Sequence, residues 1–166
     1  DGFIGEVKKK GLHETILLPF QNGVYSEQKI SQEFGEEKTF GAVAQISSFI
    51  NENQYVIHKG KLASFFVGNM SDIVNKKLLK FCEISQNSGL DIQYKSNIKE
   101  KIWEKFIFLS AYSGITTLTK KSIGEIFSST ALKDNFVSAM IETYNLSKFF
   151  NVKFKVNPVD FWLEKI

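Results

Sequence analysis

Lys105 stands within Ile102-Trp103-Glu104-Lys105-Phe106-Ile107-Phe108-Leu109, a cation in one of the most apolar and aromatic windows of the chain. Burial in low dielectric disfavours the ammonium form and draws a lysine pKa toward neutrality, which yields a proton donor that works near pH 7. A lysine can equally lay its stem along apolar surface and keep its head in water. The window therefore offers two readings of Lys105, a general acid or a snorkelling cation.

Other reactive residue types are sparse. Cys82 is the one cysteine, so no internal disulfide exists, and the composition fits a reducing, cytoplasmic compartment. Its helical spacing with Leu78 and Leu79 makes it a buried small hydrophobe in preference to a nucleophile. His13 and His58 are the only imidazoles, and without clustered cysteines no zinc site is expected. Asn22, in Gln21-Asn22-Gly23, is of a type that tolerates turn geometry and offers both a donor and an acceptor.

The 166 residues suffice for one ordinary domain or for pieces of two. Hydrophobic residues make up 43% and charged residues 23%, a globular composition, and 16 phenylalanines point to a phenylalanine-rich core. A net charge of +3, spread among acidic residues, gives no basic stripe for nucleic acid. Lys8-Lys9-Lys10 reads as a solvated loop or helix end. No apolar run is long enough to span a bilayer, and no signal-peptide core opens the chain, so no membrane association is expected. A start at Asp1 suggests a fragment or processed piece.

The elements that must position Lys105 follow from periodicity. Thr15 to Phe20 reads as a buried strand with Pro19 at its end, closed by the Gln21-Asn22-Gly23 turn. Ser26 to Phe34 has helical spacing, with Gly35 able to stop it. Alternation at Phe40/Ala42/Ala44, Tyr55/Ile57 and Phe65/Val67 predicts three short strands, broken at Asn51 to Asn53 and at Gly60. Ser71 or Asp72 can cap a helix bearing Val74, Leu78, Phe81 and Cys82, ended by Asn87-Ser88-Gly89. Leu90 to Tyr94 alternates as a further strand.

Asn97 and Glu100 approximate a capping box for the helix of Lys105. That helix is apolar on several sides, as a central helix is. Residues 131 to 150 predict another helix, with Leu132, Phe136, Met140 and Tyr144 on a four-residue spacing. Asn157-Pro158 supplies an N-cap and first-turn proline for a last helix, whose Phe161, Trp162 and Leu163 need a partner surface.

Five segments in this order, Leu17-Leu18-Pro19-Phe20-Gln21-Asn22-Gly23-Val24, Gly41-Ala42-Val43, Val56-Ile57-His58-Lys59-Gly60, Trp103-Glu104-Lys105 and Thr116-Thr117-Leu118-Thr119, resemble ketopantoate reductase (2-dehydropantoate 2-reductase). The resemblance implies an α+β chain: the C-terminal part of a Rossmann-type α/β domain over residues 1–70, then a truncated helical domain over 71–166. The second domain would resemble the C-terminal domain of 6-phosphogluconate dehydrogenase.

It further implies NADPH-dependent reduction of a 2-oxo acid, most directly 2-dehydropantoate to pantoate in coenzyme A biosynthesis. Lys105 falls on the family's catalytic lysine, and a cation beside the carbonyl oxygen stabilises charge that develops in the transition state. Asn22 matches an asparagine near the nicotinamide end of the cofactor, a reading that coexists with that of a turn asparagine. His58 matches a family histidine and is assigned a structural role.

Four and eight residues after its lysine the family commonly has asparagines that position substrate; here stand Leu109 and Ser113. Ser113 is the remaining candidate for substrate binding, on the same helix face as Lys105. The substitutions leave three alternatives: a 2-dehydropantoate reductase, a paralogue acting on another 2-oxo acid, or a non-catalytic interaction or dimerisation module. The family's Gly-x-Gly-x-x-Gly turn is expected before Asp1, and its later serine and glutamate beyond Ile166. The implied partners are a small 2-oxo acid and a second copy of the chain.

Overall fold

The computed structural model describes residues 2–11, 15–70 and 74–166. Cα packing divides the chain into two compact units, Asp1–Ile98 and Lys99–Ile166. The first is helices around a small sheet and the second is helical, in keeping with the α+β class expected.

The first unit opens with α1 (Gly2–Lys9), whose last turn contains Lys8 and Lys9, so the basic triplet is a helix end. Lys8 pairs with Glu33 of α2 (Tyr25–Phe34). Gly35 stops α2 at φ +89°, where a side chain would be strained. Residues 15–20 do not form the expected ladder. Among the described residues they make one parallel bridge, Leu17 to Thr39, and Ile16 and Leu18 pack on the core from an otherwise irregular segment. A parallel strand needs evenly placed partners along its length, and here one residue pair supplies them.

The expected three strands of residues 40–67 are two. Strands β1 (Phe40–Ile50) and β2 (Val56–Asn69) form one antiparallel hairpin. Asn51 closes it, its Oδ1 accepting from the amides of Asn53 and Tyr55 at 3.0 and 2.9 Å. Gly60, read as a break, lies inside β2 at φ +79°, where the register slips between Ile46/Ala63 and Ser48/His58. The extra residues form a bulge, which glycine permits without ending the strand. The His58 ring spans that bulge, with Nε2 2.9 Å from the Leu62 carbonyl.

Helix α3 (Lys76–Asn87) is capped by Asn75, whose Oδ1 accepts from the Leu78 amide at 3.0 Å. The expected caps Ser71 and Asp72 lie outside the described residues, and the helix begins after Val74. Strand β3 (Ile92–Tyr94) pairs parallel with β2, and the sheet order is β1-β2-β3. Phe40, Ala42, Val67, Leu78, Cys82 and Ile92 form the buried core, so α3 and β3 pack with the first unit. Cys82 is buried as expected, and burial raises its thiol pKa.

The second unit contains α4 (Ile98–Thr119), α5 (Ile123–Phe127), α6 (Thr130–Phe149) and α7 (Pro158–Leu163). Ile107, Ala111, Ile126, Phe136, Met140 and Val159 build its core. The sequence reading passed over α5 although Ser122-x-x-Glu125 spells a capping box, which the structure forms in both directions. Asn157 caps α7 as expected, its Oδ1 2.9 Å from the Val159 amide. The apolar residues of α7 have their partners within the unit. Trp162 stacks on Phe108 at 4.5 Å and Leu163 packs on the core.

Candidate functional site

Helix α4 carries the principal candidate. Its 3.6-residue period divides the 22 residues into distinct faces. Ile107 and Ala111 point into the core of the second unit, at 0% and 1% exposure. Lys105 and Leu109, one turn apart, lie on the opposite side of the helix, and Ser113 follows a turn later. Lys105 and Leu109 are half-buried, whereas Ser113 is exposed.

The first turns of α4 are anchored by contacts to the chain around α6 and α7. The Lys99 ammonium donates to the Phe150 carbonyl at 2.6 Å, just past the end of α6, where the helix dipole favours a cation. The Lys155 amide donates to Glu100 Oε1 at 2.8 Å, so the carboxylate expected in a capping box binds a distant backbone. Trp103 packs on Phe150 with centroids 5.1 Å apart. The Trp162 indole donates to the Glu104 carbonyl at 2.7 Å. These contacts set the rotation of α4 about its axis, and thereby the direction of Lys105.

Electrostatics distinguish Lys105 from its neighbours. Lys101 grips the buried Glu104 carboxylate with its ammonium, 2.9 Å from each oxygen, an ion pair within one turn. Burial alone pushes the Lys105 ammonium below the ordinary lysine range. The arrangement offers a cationic proton donor with a leucine one turn away.

Asn22 lies in the bend between the extended segment and α2, and its side chain is exposed. The left-handed backbone falls on Gly23, at φ +97°, leaving Asn22 in an ordinary conformation. An exposed amide at the rim of a turn can meet both a donor and an acceptor, which fits the hydroxyls of a ribose. No run of glycines with the Gly-x-Gly-x-x-Gly spacing accompanies it in residues 1–166. Asn22 belongs to the first unit and Lys105 to the second.

One charged residue escaped the sequence reading. Glu27, in the first turn of α2, is 3% exposed, and neither carboxylate oxygen has a hydrogen-bond partner among the described residues. Desolvation raises its pKa to about 7, against a smaller opposing effect of the nearby Glu27 and Ala42 amides. An acidic residue in a first helical turn ordinarily faces water and complements the dipole, so its type and position gave no signal. No group of three or more His, Cys, Asp or Glu residues among the described residues could hold a metal ion.

Comparison with known proteins gives two family matches, ketopantoate reductase PanE/ApbA over residues 4–72 and its C-terminal domain over residues 97–164. The uncharacterized oxidoreductase YkpB of Bacillus subtilis is 24% identical over 128 residues, 77% of this chain and 42% of that protein. The crystal structure of 2-dehydropantoate 2-reductase from Porphyromonas gingivalis superposes with a TM-score of 0.80 at 18% identity, covering 91% of this chain and 52% of that one. A ternary structure of D-mandelate dehydrogenase with NADH and anilino(oxo)acetate gives a TM-score of 0.76 at 18% identity, covering 89% and 47%. The chain thus spans about half the length of the relatives it matches.

Proposed function

The chain belongs to the ketopantoate reductase family, and from that premise we propose that the whole protein reduces a 2-oxo acid to the 2-hydroxy acid with Lys105 as proton donor. The observation that carries this reading is the half-buried Lys105 on the side of α4 opposite the core, its ammonium made a readier proton donor by burial. NADPH is the proposed cofactor, and it supplies the hydride when bound. The proposal takes residues 1–70 as part of the nucleotide domain and 71–166 as part of the mainly helical substrate domain, although α3 and β3 of the latter pack with the first unit.

Lys105 Nζ would hydrogen-bond the carbonyl oxygen of the 2-oxo acid. As C2 gains hydride and the C=O π bond breaks, the oxygen takes a proton from Nζ and becomes a hydroxyl; solvent then reprotonates the amine. A cation placed there favours the developing alkoxide over the ground-state carbonyl, so its effect falls on turnover. Asn22 would orient the nicotinamide side of the cofactor through its amide. Ser113, eight residues from Lys105 and so about 12 Å along the helix axis, could reach only the far end of a substrate.

Within the family, 2-dehydropantoate to pantoate is the first reaction to assay. A second reading, reduction of another 2-oxo acid, draws support from Leu109 beside Lys105 and from the likeness to a dehydrogenase whose ternary structure contains anilino(oxo)acetate. The reading as a non-catalytic interaction or dimerisation module draws on Leu109, Ser113 and the apolar residues of α7, of which Trp162 and Leu163 pack within the second unit. A homodimer stays in the proposal as the quaternary state, to be measured by sedimentation. The decisive test is NADPH binding by fluorescence titration, followed by NADPH oxidation with a panel of 2-oxo acids, using the whole protein. A whole protein that binds no NADPH would sink the enzyme reading.

A further inference from the structure

Leu109 is one helical turn from Lys105, on the same side of α4, and its apolar side chain is half-buried. A substrate whose carbonyl sits at Lys105 Nζ and whose carbon chain runs along this side of the helix meets Leu109 next. The polar groups that follow, Ser113 and Thr116, stand one and two turns beyond Leu109. Thr116 Oγ1 donates to the Tyr112 carbonyl at 2.6 Å, and Ser113 is exposed. Tyr112 stacks on Phe108 at 5.5 Å, extending the aromatic surface of the helix.

Resting on the proposal that Lys105 protonates the carbonyl, we infer that Leu109 sets the specificity of the site: the preferred substrate is a 2-oxo acid whose chain beyond the carbonyl is apolar, branched aliphatic or aromatic. A hydroxyl carried into contact with a leucine gives up its water without gaining a partner, whereas an apolar group gains dispersion contact at no such cost. Because an apolar wall discriminates against an added hydroxyl by only about 10²-fold, a hydroxylated substrate is still turned over, as a second-rank one.

Two acids that differ by a single hydroxyl test this directly: 3,3-dimethyl-2-oxobutanoate and its 4-hydroxy derivative, 2-dehydropantoate. The whole protein, with NADPH, should show a kcat/KM for the first exceeding that for the second by roughly 10- to 100-fold. Leu109→Asn should move that ratio toward the hydroxylated acid by at least about tenfold. Leu109→Met, apolar and of similar volume, should leave it within about threefold, which separates specificity from a general loss of fold. A wild-type preference for the hydroxylated acid, or a ratio untouched by Leu109→Asn in a protein that still binds NADPH, overturns the inference. Reduction of neither acid, nor of any other 2-oxo acid, would instead remove the proposed function on which it rests.

Discussion

The indole Nε1 of Trp162 donates to the backbone carbonyl of Glu104 across 2.7 Å, tying the last helix to the residue that precedes Lys105. The same ring stacks on Phe108 at 4.5 Å, so one side chain fixes α4 by a directional bond and by area. Trp162→Phe keeps the ring contact and removes the donor. It should cost the chain about 1 kcal/mol, read as a lower urea midpoint with unchanged slope. A midpoint equal to wild type would show that the bond contributes nothing net.

Glu27 makes stability depend on pH in an unusual direction. Its folded pKa of about 7 lies above the ordinary 4.5, so between these values the folded chain holds a proton that the unfolded chain has released. The favourable protonated state is fully present below pH 4.5 and is lost as pH rises through 7. The difference amounts to roughly 3 kcal/mol. Glu27→Gln should flatten this part of the stability curve and stabilise the chain at pH 8. Urea titrations from pH 4.5 to 8 that give parallel curves for both proteins would show that Glu27 is solvated or paired in solution.

Lys105 predicts a pH limb in the rate of the whole protein. Its ammonium must be present to donate, and burial lowers its pKa below the ordinary 10.5. In the 2-oxo acid reduction, kcat/KM should therefore hold below the folded pKa and fall as pH rises through it, before 10.5. Lys105→Ala should lower kcat by about 10²-fold or more while leaving NADPH affinity nearly unchanged. Equal losses in turnover and cofactor binding would mark Lys105 as structural.

Gly68 gives a backbone test. A Cβ at this buried position would stand 2.0 Å from the Lys95 carbonyl oxygen, so the main chain itself has to move. That movement would disturb the β2–β3 pairing at Val67–Tyr94 and the Lys95 amide bond to the Val67 carbonyl, 2.8 Å. Gly68→Ala should cost about 3 kcal/mol or more, seen by thermal or urea unfolding. A loss below about 0.5 kcal/mol, the range of ordinary surface changes, would mean that the strands separate freely here.

Periodicity and caps alone determined much of this chain. The four-residue spacing of Phe136 and Met140 placed a helix whose buried face contains both, and Asn157-Pro158 marked the start of α7 to the residue. Leu78 and Cys82 were assigned correctly to a buried helical face. The apolar window around Lys105 marked it as a cation in apolar surroundings, while leaving open whether it is a general acid or a snorkelling lysine. These features are local, and local geometry follows from residue type.

Tertiary structure decided what depends on partners distant in sequence. Gly60 reads as a break until pairing with β1 turns it into a bulge within one strand. Thr15 to Phe20 reads as a strand, yet ladder formation requires neighbours along its whole length, and among the described residues the segment makes one bridge, Leu17 to Thr39. Glu27 gives no signal in sequence, and only packing in the folded unit takes its carboxylate out of solvent. The sequence determined that Lys105 and Leu109 share a side of one helix. That this side faces away from the core at Ile107 and Ala111 was decided by the fold, since burial is a property of what surrounds a helix and not of the helix itself.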